Sequence, residues 1–219
     1  MRCRLVTGLA TLVVLGTIST AAADILKGEL MIAPKGSLSV PVGDYPITGK
    51  DFSYLKDEVK IGFAFGAQVD KVVTDNFSVG IQVGYNISKM NTTVLRDAMK
   101  PYNAEPDFKW KTMQLTGHVR YHLNPAQPLS FFGHLGAGLY VNKFSTDIIQ
   151  RGTGAITVPV PQSQTFTSFG VNAGPGLLVR LSPNTRFTFE ALFHNVFTPN
   201  QSLRYLNLTA GFVFSLMPE

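Results

Sequence analysis

Six ionisable side chains carry most of the chemistry open to this sequence: Lys35, His118, Arg120, His134, Arg180 and Glu190. Each lies in a stretch where bulky apolar residues take alternate positions, and each falls on the other parity, among Gly, Ser, Thr, Asn and Gln. Such a set can fill an interior as a network of paired charges, or it can line a path for ions or protons. A buried charge left unpaired is costly, so the network is preferred, with Glu190 pairing to Arg120 and with Lys35 or His118 as its other partners. Metal ligation is disfavoured: His118 and His122 are four apart, which on a strand separates them by ~13 Å. No phosphate loop or nucleophile elbow appears, and Gly133 to Gly138 reads as the small side of a strand. No catalytic, cofactor or metal site is expected.

The elements that must position these residues announce themselves by a period of two. Phe187, Phe189, Ala191 and Phe193 alternate with Thr188, Glu190, Leu192 and His194, and Leu206, Leu208, Ala210, Phe212 and Phe214 alternate with Asn207, Thr209, Gly211, Val213 and Ser215. Alternation of this kind means extended strands with two unlike faces. Eight strands are expected, near 29–40, 59–70, 77–89, 109–123, 129–145, 164–181, 186–197 and 203–216. A soluble sheet would show water many Lys and Glu, whereas here the non-apolar parity is small, neutral and glycine-rich. That parity suits the cramped inside of a narrow barrel, and the aromatic parity suits lipid.

The connections support this reading. Links after strands two, four and six are tight (Lys71 to Asn76, Asn124 to Pro128, Ser182 to Thr185). Those after strands one, three and five are long (Pro41 to Glu58, Met90 to Phe108, Thr146 to Ser163), and only Thr198 to Ser202 breaks the rhythm. Short turns at one rim and long loops at the other are the membrane-barrel pattern, short rim periplasmic and long rim outside. Phe77 and Tyr85 then span roughly 20 Å of height. Aromatic girdles are expected from Phe77, Tyr121, Phe131 and Phe187 at the periplasmic side and from Tyr85, Phe197 and Tyr205 at the outer side. Trp110 falls on the inward parity, so a bulge shifts it or it stands above the bilayer. Thr92 to Tyr102 has the spacing of a short helix ended by Pro101. Ile148, Ile149, Ala155, Ile156, Val158 and Val160 have the character of strand extensions above the membrane.

Arg2 and Arg4, an apolar stretch from Leu5 to Ile18 and the exit Ala21-Ala22-Ala23 describe a secretory signal peptide over residues 1–23, too short in its apolar part for an anchor. Subtracting it from 219 residues leaves 196 for a single barrel domain, 24–219. The one cysteine, Cys3, lies in the removed segment, so disulfides play no part. Of 19 basic residues 17 remain against 14 acidic, a charge of +3 too mild and dispersed for nucleic acid. No later apolar run approaches the length of a membrane helix, and only a closed barrel then satisfies every backbone group in lipid.

The order of features resembles the eight-stranded outer-membrane β-barrel family that includes the OmpA transmembrane domain and OmpX-like porin-family proteins. The resemblance rests on Thr74-Asp75-Asn76-Phe77-Ser78-Val79, Phe131 to Gly138, Gly170 to Gly176, Arg186-Phe187-Thr188-Phe189-Glu190 and Leu208-Thr209-Ala210-Gly211-Phe212. It covers essentially the whole chain after the signal peptide. It implies an all-β, antiparallel, up-and-down transmembrane barrel in the outer membrane of a Gram-negative bacterium. The implied partners are outer-membrane lipid, lipopolysaccharide and the barrel-assembly machinery. Such barrels commonly end on an aromatic residue; here Phe214-Ser215-Leu216-Met217-Pro218-Glu219 follows, so the assembly signal is expected at Phe212 and Phe214.

Eight strands leave a lumen just wide enough for side chains, so a continuous pore is not expected. The function expected by exclusion is envelope structure or surface contact, such as adhesion or host recognition through the long loops, by a monomer without cofactor. A small-solute channel is the alternative. A lipid-modifying barrel is a third: lipid A deacylases carry His-x-Ser-Asn, but His194 is followed by Asn195, Val196 and Phe197, without the serine nucleophile. A soluble lipocalin-like barrel would invert the two faces.

Overall fold

The alternating stretches become eight strands: β1 (Leu30–Pro41), β2 (Gly62–Thr74), β3 (Phe77–Lys89), β4 (Ala104–Leu123), β5 (Leu129–Gln150), β6 (Gln164–Ser182), β7 (Thr185–Phe197) and β8 (Ser202–Leu216). In this computed structural model the described residues are Ile25, 27–42, 59–90, 97, 100–102, 104–150, 163–198 and 202–216. Each strand pairs antiparallel with its neighbours in sequence, and β8 returns to β1, closing the barrel. Closure removes the free edges that an open sheet would expose.

The registers set the barrel's size. Starting at Leu30 and stepping across each ladder leads through Lys71, Val79, Val119, Leu135, Ala173, Phe193 and Leu206 to Val40. The path returns to β1 ten residues from its start, a shear of ten for eight strands. With ~3.3 Å per residue and ~4.8 Å between strands, that shear gives a tilt of about 41° and a backbone radius of about 8 Å. Side chains pointing inward fill a cylinder this narrow.

Two of the prolines inside strands interrupt a ladder. The pairing of β1 with β8 skips Ala33 and Pro34, and that of β6 with β7 skips Gly174 and Pro175, with register kept on both sides. Proline has no N–H to donate, so each barrel seam loses a bond there. Two of the three short turns are tighter than expected: β2 runs to Thr74 and β6 to Ser182, each with a register shift just before a two-residue turn, Asp75-Asn76 or Pro183-Asn184. β4 and β5 are longer than expected and stay paired out to Ala104 and Gln150.

Most of the expected girdle faces outward. Phe77 meets Tyr121 with ring centres 4.9 Å apart, Phe187 meets Phe212 at 5.7 Å, Tyr85 meets Phe65 at 5.5 Å and Phe197 meets Phe169 at 6.4 Å. Phe131 is also exposed on this face. From Phe77 to Ile87 on β3 the outward apolar band is about 25 Å tall at that tilt. Tyr205 is a correction: it points into the barrel, 1 % exposed. Its neighbours Leu206 and Arg204 face out, so the pleat turns Tyr205 inward whatever its aromatic character. Trp110 points inward too, 3 % exposed, with no register shift in either ladder of β4, so no bulge is involved.

Of the segment expected to form a helix, Asp97 is helical and Lys100–Tyr102 forms a 3-10 turn; 92–96, 98 and 99 lie outside the described residues. Ile148 and Ile149 belong to β5, while Ala155, Ile156, Val158 and Val160 lie outside the described residues, as does the signal segment 1–23.

Candidate functional site

Because only one parity of each strand reaches the lumen, its contents are stacked in layers. At the short-turn mouth, Glu29 accepts a hydrogen bond from Arg186 Nη1 at 2.7 Å, and the same nitrogen donates to Ser215 Oγ at 2.5 Å. Gly28 N–H donates to Val72 O, tying the segment before β1 to the barrel wall. Over this pair lies an apolar plug of Ile25, Met31, Ala33, Val72, Phe132, Leu178 and Val213.

Above the plug, β1, β2, β4 and β7 bring four charges together. Glu190 Oε1 accepts from Arg120 Nη2 at 2.5 Å and from Lys35 Nζ at 2.6 Å. Asp70 faces the same guanidinium, with Oδ2 3.3 Å from Arg120 Nη1, and its Oδ1 is 2.5 Å from His118 Nε2. Gln68 knits the layer, accepting from Arg120 Nη2 at 2.7 Å and from Lys35, and donating to Asp70 Oδ2 at 2.5 Å. Two cations and two carboxylates balance formally, which is what makes the burial tolerable. Arg120 also lies 4.6 Å over the Phe132 ring, capping the plug.

Small residues make room for this layer. A Cβ on Gly80 would sit 2.3 Å from Asp70 Oδ1, and one on Gly136 would sit 2.5 Å from Asn172 Oδ1. Glycine on the inner parity is therefore the space into which polar side chains from neighbouring strands extend.

From Arg120 a hydrogen-bonded chain climbs the lumen. Arg120 Nε donates to His134 Nδ1 at 3.3 Å, so that ring carries its proton on Nε2, which donates to Asn172 Oδ1 at 3.0 Å. Asn172 Nδ2 donates to Tyr140 Oη at 3.2 Å, and Tyr140 reaches His194 Nδ1 at 3.1 Å. Tyr205 stacks on His194 at 4.5 Å and donates from Oη to Gln114 Oε1 at 3.3 Å. Beside this chain a small cavity is lined by the polar Ser37, Gln82, Asn86, Asn207 and Thr209 together with Ala64, Phe65 and Tyr85. At the long-connection end Trp110 packs against Phe144 at 6.1 Å and Phe166 at 5.9 Å, and Phe108 meets Phe144 at 5.9 Å. The Trp110 indole N–H donates to Thr112 Oγ1.

Of the six residues singled out by parity, Lys35, His118, Arg120, His134 and Glu190 share the central layer. Arg180 does not: it lies half-buried by the short-turn mouth, near Pro128 and Arg186. It is four positions towards the turn from Gly176, the partner of Glu190, and so about 10 Å lower. His118 goes to Asp70 rather than to Glu190. Gln68, Asp70 and Arg186 were missed although parity marks them, since Gln68 and Asp70 share the parity of Gly62 and Gly66, and Arg186 that of Glu190. Glu29 opens the expected first strand on the parity of Lys35, but Met31 and Ala33 between them are apolar and blur the alternation there. Among the described residues no group of three His, Cys, Asp or Glu side chains is placed to hold a metal ion.

Comparison with known proteins follows the same lines. No curated protein matches the sequence. Among solved structures, a major outer membrane protein from Thermus thermophilus is similar at 11 % identity and TM-score 0.55, over 85 % of this chain and 99 % of that one. Neisserial surface protein A is similar at 17 % identity and TM-score 0.52, over 87 % and 100 %. OprG from Pseudomonas aeruginosa is similar at 12 % identity and TM-score 0.52, over 88 % and 97 %. The family described as outer membrane protein beta-barrel domain matches residues 10–215. A closed barrel of eight strands with an outward apolar band and a family match across nearly its whole length make this chain a member of the outer-membrane β-barrel domain family.

Proposed function

We propose that this outer-membrane barrel is a monomeric, non-catalytic surface protein with a filled lumen, serving envelope structure and contacts with cell or host surfaces through its long connections. On this reading residues 1–23 are a cleaved signal peptide, residues 24–219 are the barrel delivered to the assembly machinery, and the long-connection rim faces outside the cell. The observation that carries it is the stacking of three closures in one narrow lumen: the apolar plug, the Asp70–Arg120–Glu190–Lys35 layer and the aromatic group around Trp110. A lumen closed three times leaves the rims as the place for activity. The test has two arms. Purified protein in planar bilayers should show no steady conductance, and a reproducible open level would favour the small-solute channel. Removing the connection 43–58, or 151–162, should leave the barrel folded while reducing binding of intact cells to surfaces, and unchanged binding and envelope integrity would sink the surface role.

A further inference from the structure

Ala64, Gly66 and Gly84 take neighbouring inward positions on β2 and β3, with Gly66 directly opposite Gly84 and Ala64 opposite Asn86. Residues this small leave space beside the wall. The cavity there measures about 20 Å³, enough for one occupant the size of a water molecule. Gln82 and Asn86 reach it from β3 and Asn207 from β8.

The chemistry of its wall is one-sided. Gln82 Oε1, Asn86 Oδ1 and Asn207 Oδ1 are buried and meet no donor among the described residues. Their residues are 8 %, 8 % and 5 % exposed, so bulk water does not serve them. The donors of the same wall are turned elsewhere. Asn86 Nδ2 donates to Ser39 Oγ at 2.7 Å, and Asn207 Nδ2 bonds His194 Nε2 at 3.4 Å. Ser37 and Thr209 bond each other at 2.8 Å, and Lys35 donates to Glu190 and Gln68. Three acceptors thus line one small space, and a buried oxygen without a partner is costly.

That imbalance selects the occupant. A single water brings two hydrogens to three acceptors, whereas a bare cation is held by carbonyl oxygens that replace its hydration shell. The surrounding charges set the valence. No carboxylate lines the cavity, as a calcium site requires, and Lys35 stands on the same wall, so a divalent ion is disfavoured. Glu190 lies opposite Thr209 in the β7–β8 ladder, and its Oε2 also lacks a donor, which places negative potential behind the wall. We propose that Gln82, Asn86 and Asn207 hold one monovalent cation of about the size of potassium. The ion ties β3 to β8 across the lumen. Asn86 is one inward row below Ser88, the partner of Trp110, so the site lies between the charged layer and the aromatic group and its ion is resident.

The test is urea unfolding of the full mature protein in a non-ionic detergent, at constant ionic strength, with potassium chloride replaced stepwise by choline chloride. Choline is too large for the cavity. Above half-saturation the unfolding constant should fall about tenfold for each tenfold rise in potassium, as one ion held by the folded state requires. Asn207→Leu should move that dependence at least about tenfold higher in potassium, because a charge-assisted contact is lost. Gln82→Leu serves the same comparison where Asn207→Leu does not fold. Equal midpoints in potassium and choline would mean that water alone occupies the cavity, and would overturn the site. An unchanged potassium dependence in these variants would place the ion elsewhere and overturn it too. Stabilisation by calcium at far lower concentration than potassium would overturn the monovalent class.

Discussion

At the scale of single residues, Glu190 is the most consequential side chain in the lumen. Its Oε1 receives both Arg120 and Lys35, and removing its charge leaves those two cations facing Asp70 alone. Breaking one partner out of a buried ionic set costs ~3–5 kcal/mol. Glu190→Gln should therefore lower the urea midpoint of the folded barrel by a corresponding amount, and an unchanged midpoint would contradict the pairing. Trp110, the only tryptophan, offers an optical check on the inner face. Enclosed by Phe144 and Phe166, it should fluoresce at short wavelength and resist quenching by both iodide and brominated lipid. Strong quenching by the lipid would place it outside. Parity alone identified Lys35, Arg120 and Glu190 as inward, and it also marked Tyr205 as inward. Residue type misled there: an aromatic ring near a rim suggests a girdle, yet Tyr205 is stacked on His194. Glu29 shares the inward parity of Lys35, but the apolar Met31 and Ala33 between them hide the pattern, and its contact with Arg186 reveals it.

At the scale of elements, glycines of opposite parity do different work and give a sharp contrast. A Cβ on Gly174 would lie 1.9 Å from the carbonyl oxygen of Ala191, so the backbone of β6 or β7 must move to admit one. Gly133, facing outward on β5, has nothing within 4 Å of the corresponding position. Gly174→Ala should destabilise the barrel by ~1–3 kcal/mol through overpacking, while Gly133→Ala should change stability by no more than ~1 kcal/mol. Equal denaturation midpoints for the two variants would refute this division of roles. The strands themselves were legible because a period of two survives in every one of them. Their ends were less so. The outer parts of β4 and β5, from Ala104 and out to Gln150, carry charged residues and Pro106 rather than alternating apolar ones, and only their mutual ladder holds them extended.

At the scale of the whole molecule, the solvent of the outer face is open to a direct test. Leu135 is 60 % exposed near the middle of the apolar band, pointing away from the barrel. Leu135→Arg should destabilise the barrel by ~2–4 kcal/mol in bilayers, the cost of a cation at the midplane. A water-facing barrel would tolerate that change, so no loss of stability would refute the lipid-facing assignment. The sequence by itself determined that there are eight two-faced strands, which face of each is apolar, and the short and long rhythm of the connections. Those are local facts, written in parity and turn residues. Parity constrains each register only to the choice that keeps like faces together, since a slip of two residues preserves the pattern as well as no slip. The actual registers sum to a shear of ten around the closed sheet, and that sum sets the tilt and the radius. It also decides which inward residues share a height. Lys35, Asp70, Arg120 and Glu190 come from four strands far apart in sequence, and closure at this shear brings them into one layer.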